Sequence, residues 1–364
     1  MVLGSINKDI TYPASMYYSA QPYSFGYFEN GLMVEPPSWD DETNQWLATL
    51  FGLTYNRVVP PQNIDPDKAW NDYLHRIETA LRAGYPVQTS RGWMGTSEEG
   101  GTITSKIGGR LFWWEGLSKK HRPDMHYFTI TGIDRSQNTI YFHDPVFGWY
   151  GWGKDVSVPL TTFRRAVQRA PWQHRYITIT FTPSTTPAKS KAEMQRLLKK
   201  RIIKKIKGDP TVYNSIEMWQ TFYDQKRLKR NFTHGIHGFK AFKRDLQADR
   251  FKRILALKLK HRKMQPSSVV SWIDLIMYHK AWVALIGAEY CEKTGHIKEW
   301  QRLFRLHMFY EQMCLSTAKL RSIFKATNDV DNAMPKVRPV LLDMQKTIDE
   351  MIAHLRLYLT NGST

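Results

Sequence analysis

His126 and Asp144, in the stretch HYFTITGIDRSQNTIYFHDP, have the side-chain types that proton transfer requires. An imidazole exchanges a proton near neutral pH, and a carboxylate that accepts from one ring nitrogen orients the other toward a reacting group. Tyr127, Thr129 and Thr131 alternate with Phe128 and Ile130, and after the turn-rich DRSQN an apolar run resumes over Ile140–Phe142. That pattern predicts an antiparallel hairpin. Its first strand starts, and its second ends, at the same end of the sheet, which brings His126 and Asp144 together. The bland alternative is a histidine satisfied within a sheet and an Asp-Pro turn.

Other chemistry-bearing residues read less sharply. His143 is expected on the strand face opposite Phe142, and His126, His143 and Asp144 lack a typical metal-ligand spacing, so no metal is expected. Gly95, Gly100, Gly101, Gly108 and Gly109 fit neither a phosphate loop nor a dinucleotide fingerprint, so no cofactor is expected and the passage reads as a lid-like insertion. Glycines flank Trp149 and Trp152 close to Asp144, which points to a pocket, whereas Trp93, Trp113 and Trp114 default to core. Cys291 and Cys314 are the only cysteines, and both read as buried inert thiols in helices. His234 and His237 in HGIHG have no local third ligand.

The elements that must hold these residues follow from periodicity and punctuation. Residues 1–36 read as short extended pieces and turns, and a helix is expected from Asp41 to Phe51. Residues 53–64 read as a strand and a Pro-Pro loop. Asp65 and Pro66 open a helix that runs to Gly84. Strands are expected over YPVQTS, LFWW at 111–114, the hairpin, and RYITITF at 175–181, with a helix near 160–170. Beyond PSTTPAKS the pattern turns helical: 190–207, 215–230, 238–262, 267–294, 297–327 and 336–359, with breaks at Gly208, Pro266, Gly295 and Pro335. The expected domains are an α+β unit over 1–183, a linker over 184–190 and a basic helical domain over 191–364.

The net charge of +19 is concentrated in one place. Residues 189–265 hold 23 basic and 6 acidic groups, whereas residues 1–188 hold 17 of each. Lys199, Lys200, Lys204, Lys205, Lys207, Arg227, Lys229, Arg230, Lys252 and Arg253 are the expected basic surface. Three partners compete for it: nucleic acid, an acidic protein, and, third, an anionic membrane. Without a signal-peptide pattern or an uncharged apolar run of 18 residues, the expected compartment is the cytoplasm.

SFGYF at 24–28, FGL at 51–53, DPDKAWNDYLHRIETALRAGYPV at 65–87, HYFTITGID at 126–134 and IYFHDP at 140–145 together resemble the butirosin-biosynthesis acyltransferase family, papain-like relatives of the C39 peptidases. The resemblance implies a papain-like antiparallel-sheet domain followed by a helical one. It also implies a Cys nucleophile on an N-terminal helix, activated at the position of His126, with the ring oriented at the position of Asp144. An acidic acyl-carrier protein is the partner it implies for some members, and leader-peptide cleavage is the activity it implies for the peptidase relatives.

The sequence departs from that pattern at the nucleophile. The Cys should precede SFGYF, yet the first cysteine is Cys291, and the residues ahead of Ser24 carry no helical phase. Ser15, Ser19 or Ser24 could replace it in principle, with Gln21 as an oxyanion donor, although a Gln in a turn-rich stretch is more often at the surface. The expectation is a degenerate or N-terminally incomplete cysteine acyltransferase or peptidase. The alternative is a non-catalytic scaffold whose basic segment binds nucleic acid or an acidic protein.

Overall fold

The computed structural model describes residues 10–34, 41–61, 63–91, 126–143, 156–169, 175–213, 232–262, 265–327 and 329–360. In chain order they form α1 (Tyr12–Tyr18), β1 (Gly26–Phe28), β2 (Met33–Val34), α2 (Asp41–Leu50), β3 (Leu53–Val58), α3 (Pro66–Arg82) and β4 (Val87–Arg91). Then come β5 (His126–Asp134), β6 (Thr139–His143), β7 (Val156–Pro159), α4 (Leu160–Arg169) and β8 (Thr178–Pro183). The remainder is α5 (Lys191–Lys207), β9 (Phe232–His234), α6 (Gly235–Asp245), α7 (Ala248–Arg262), α8 (Pro266–Lys293), α9 (Ile297–Thr327) and α10 (Val330–Thr360). The glycine-rich passage with Trp93, the LFWW strand with Trp113 and Trp114, Asp144, Trp149 and Trp152 lie outside the described residues. So do the helix expected over 215–230 and its Arg227, Lys229 and Arg230.

Two compact units result: Gly52–Pro187 forms one, and Tyr12–Phe51 with Ala188–Thr364 forms the other. The first is α+β. Its six-stranded sheet has the order β3-β8-β4-β5-β6-β7, with every neighbouring pair antiparallel. Helices α3 and α4 cover the face that carries Val87, Phe128, Ile130, Ile140, Phe142 and Val158; Trp70, Tyr73, Leu74 and Ile77 come from α3, and Phe163 and Val167 from α4. Asp65 caps α3 by accepting from Asp67 N and Lys68 N, and Gly84 leaves the helix at φ +83°. The Tyr73 hydroxyl, buried in this core, meets Thr89 Oγ1 at 2.7 Å, and Thr89 Oγ1 also contacts Ile177 O at 2.6 Å. A polar chain inside an apolar core is tolerated because each member has a partner.

The second unit is helical around a small antiparallel sheet of order β2-β1-β9. Residues 12–51 pack here, whereas the sequence had placed them in a domain spanning 1–183. Their aromatics find partners more than two hundred residues further on: Phe25 stacks on Phe239 at 3.7 Å, Tyr27 meets Phe242 at 5.0 Å, and Tyr23 shares Glu299 with Tyr358. No local pattern records such pairings. Helix α1 is a second correction, because residues 1–36 read as extended pieces and turns. YPASMYY is buried from Ala14 to Tyr18, so no polar face gives it a helical period.

Two helices differ from expectation. The helix expected over 238–262 starts at Gly235 and is divided at Leu246–Gln247 into α6 and α7. Helix α10 begins before Pro335 rather than at it, and Pro335 and Pro339 lie inside. Both prolines are exposed, while Ala333, Met334, Val337, Val340 and Leu341 are buried on the other side. Packing of that apolar face outweighs the backbone bonds that proline removes, and water can serve the carbonyls left on the solvent side. Helix α8 is long and apolar enough to cross a membrane by length and composition, and about half of it is buried. It packs against α9 and α1, as the core helix of this unit.

Candidate functional site

His126 is the first residue of β5, and its backbone pairs with Arg91 at the end of β4. Strand β6 ends at His143, which pairs with Thr129. The start of β5 and the ends of β4 and β6 therefore lie at one end of the sheet, the end the hairpin reading assigned to the dyad. Asp144 follows His143 directly but lies outside the described residues. His143 is half-buried and Phe142 buried. A register shift between Ile130 and Gly132 leaves Thr131 unpaired, a bulge with no signature in the alternating run. The turn that closes the hairpin is held by Asp134 Oδ1, which accepts from Ser136 Oγ at 2.7 Å and Gln137 N at 3.0 Å, with Asn138 at φ +50°.

Ser24 and Gln21 sit in the helical unit. Both are buried, which corrects the expectation of a surface glutamine. Ser24 Oγ is directed at Gln21, at 2.9 Å from its O and 3.0 Å from its Oε1, rather than at an imidazole or a carboxylate. Gln21 thus presents an acceptor to the hydroxyl. The buried ammonium of Lys280 donates to Ser24 O at 2.9 Å and lies 5.6 Å from the Phe25 ring. Ser15 is buried in α1, and Ser19 Oγ donates to Met16 O at 2.7 Å. These contacts are those of a packed strap, not of an activated alcohol.

Both thiols are poor nucleophiles where they stand. Burial, and then the Glu299 carboxylate, push the Cys291 thiol up to about 12. Burial also pushes Cys314 up to about 12, with Glu311 and Asp274 adding to it. Attack requires the thiolate, which is scarce at neutral pH under those conditions. Among the described residues no group of three or more His, Cys, Asp or Glu could hold a metal ion.

The basic surface is only partly as read from sequence. Lys199, Lys200, Lys204, Lys207, Lys252 and Arg253 are exposed. Lys205, expected among them, is buried, with its ammonium 4.5 Å from the Tyr213 ring, and Arg201 beside it on α5 is buried too. Met194, Leu198, Arg201 and Lys205 follow the i, i+4, i+7, i+11 spacing of one helix face. That spacing is the signal that could have placed both cations inward.

His237 is exposed, whereas His234 is buried where β9 enters α6. Its ring lies 4.1 Å from Tyr213 and edge-on to Phe232 at 4.3 Å, and its Nε2 is buried without a hydrogen-bond partner. Burial, and then the nearby Lys205 charge, lower its pKa to about 4. An unfolded histidine titrates near 6.5, so below that pH the unfolded chain takes a proton that the folded one refuses. Stability from this group is complete above about pH 6.5 and is lost as pH falls through about 4, for a total of about 3 kcal/mol. Urea unfolding of the wild type and of His234→Leu at pH 7 and pH 4.5 reads the effect. The variant is expected to lose less stability between the two pH values, and equal losses would contradict the assignment.

The first unit is thus an α+β domain of the papain and C39 kind, an antiparallel sheet covered by helices, and a helical region follows it. Residues 33–174 match the Peptidase_C39 like family. Both cysteines lie outside the matched range. A comparison with curated proteins finds no match.

Proposed function

We propose that this protein is a degenerate relative of cysteine acyltransferases and peptidases, whose C39-like domain carries the His126 position without an operating thiol. The observation that carries the reading is the location of the chain's two cysteines. Both stand in α8 and α9, outside the C39-like match, and burial holds both in the thiol form. In an active relative, a thiolate would attack a thioester or amide carbonyl, an imidazole would take the thiol proton, and a carboxylate would hold the ring. Here His126 and Asp144 occupy the positions of base and orienter that the resemblance implies. Ser24 offers no replacement attacking group, since its hydroxyl is committed to Gln21.

The expected result is that the purified chain hydrolyses or transfers an acyl thioester and a peptide anilide no faster than its His126→Ala variant. A robust rate abolished by both His126→Ala and Asp144→Asn would overturn the reading. Labelling of a serine in 12–24 by an electrophilic acyl probe would replace it with a serine enzyme.

A further inference from the structure

The concentration of positive charge has a concave counterpart in the helical unit. Lys240, Lys243 and Arg244 of α6 and Arg356 of α10 line a groove of about 440 Å3, with Asp349 as the one carboxylate in its wall among the described residues and Ile352 in its apolar lining. Spacings of three and four residues put the α6 cations on neighbouring turns, an arrangement that costs stability unless counter-charge is near. Two of the cations have it. Lys243 Nζ contacts both oxygens of Asp349, at 2.7 and 2.6 Å, and Arg244 Nη2 contacts Glu29 Oε2 at 2.8 Å. Both also lie in the last turn of α6, where the helix dipole favours positive charge.

Neither account covers Lys240 or Arg356. Both are exposed, and neither makes an ion pair with any described residue. Among the described residues these two charges have no counter-charge, which suits a dianion, and a guanidinium presents a fork suited to phosphate oxygens. The groove has the volume of a small-molecule site. Its carboxylate wall at Asp349 disfavours a long polyanion laid across it.

We propose that this groove binds a phosphate-bearing small molecule, with the phosphate between Lys240 and Arg356 and an apolar portion over Ile352. Calorimetric titration of the full chain with phenyl phosphate and with inorganic phosphate tests it. Phenyl phosphate is expected to saturate at one site and to bind more tightly than inorganic phosphate, because only it covers Ile352. Arg356→Glu and Lys240→Glu are each expected to weaken binding roughly tenfold or more, the worth of one charge-assisted contact. Asp349→Asn frees Lys243 and removes a repelling carboxylate, so it is expected to tighten binding several-fold, a gain that a merely structural role would not produce. Lack of saturation by phenyl phosphate, unchanged affinity in Arg356→Glu, or no gain in Asp349→Asn would overturn the proposal. So would displacement of phenyl phosphate by no excess of inorganic phosphate, since the two would then not share a site.

Discussion

Gly235→Ala is expected to cost the helical unit more than about 3 kcal/mol, enough to lower its urea midpoint sharply or to prevent its folding. Gly235 opens α6 at φ +56°, a left-handed conformation that a Cβ disfavours by about 1–2 kcal/mol on its own. The larger part is steric. A Cβ there would stand 2.3 Å from Ile206 O, 2.6 Å from Gly208 N and 2.7 Å from Lys205 O, all backbone atoms at the end of α5. No side chain can swing away to make room. Gly84→Ala is the matched control, because Gly84 has φ +83° and nothing within 4 Å of the added atom. It carries the conformational cost alone. Far-ultraviolet circular dichroism against urea separates the two, and equal losses in both variants would show that the contact at Gly235 is not as tight as these distances require.

Arg201→Ala is expected to cost about 2–4 kcal/mol, somewhat below the full range for a buried ion pair, because the Glu42 carboxylate left behind is 31% exposed and partly solvated. Arg201 is only 2% exposed. Its Nη1 and Nη2 meet Glu42 Oε1 and Oε2 at 2.5 and 2.6 Å, its Nε donates to Ser19 O at 3.1 Å, and its guanidinium lies 4.8 Å from the Trp46 ring. One side chain thereby ties α5 to α2 and to the end of α1. Arg201→Lys keeps the charge but loses the fork and the stacking, so it is also expected to destabilise, by about 2 kcal/mol. Replacing the pair together, Arg201→Met with Glu42→Leu, is expected to recover much of the loss, since no charge is then left without its partner. Urea midpoints of the three variants decide it. A loss under about 1 kcal/mol in Arg201→Ala would mean the pair is solvated and not the tie described.

Both residues show where sequence reading stops. Gly235 stands in HGIHG, a motif whose two histidines draw attention to metal ligation, yet its glycine matters through contact with a helix end at Lys205–Gly208. Arg201 sits in KKRIIKKIKG, where a run of cations reads as a solvated face. Its inward placement follows from the spacing to Met194 and Leu198, but its partner Glu42 lies 159 residues away.

For the candidate site the division is similar. The antiparallel pairing of β5 and β6, and the placement of His126 at a strand start, follow from alternation and a turn, which are local properties. The bulge at Thr131 and the burial of Ser24 and Gln21 do not, because each depends on what packs against the segment.

By itself the sequence determined the α+β region, the helical character of the region after it, the cap at Asp65, and the absence of cysteine from the C39-like range. These are short-range matters of period, capping chemistry and composition, complete within a few turns of chain. Only the tertiary structure decided that residues 12–51 belong with the helical unit, that Glu42 is the partner of Arg201, and that four basic side chains face one groove. Each of those depends on surfaces far apart in sequence excluding water together, a cooperative event that no single segment encodes.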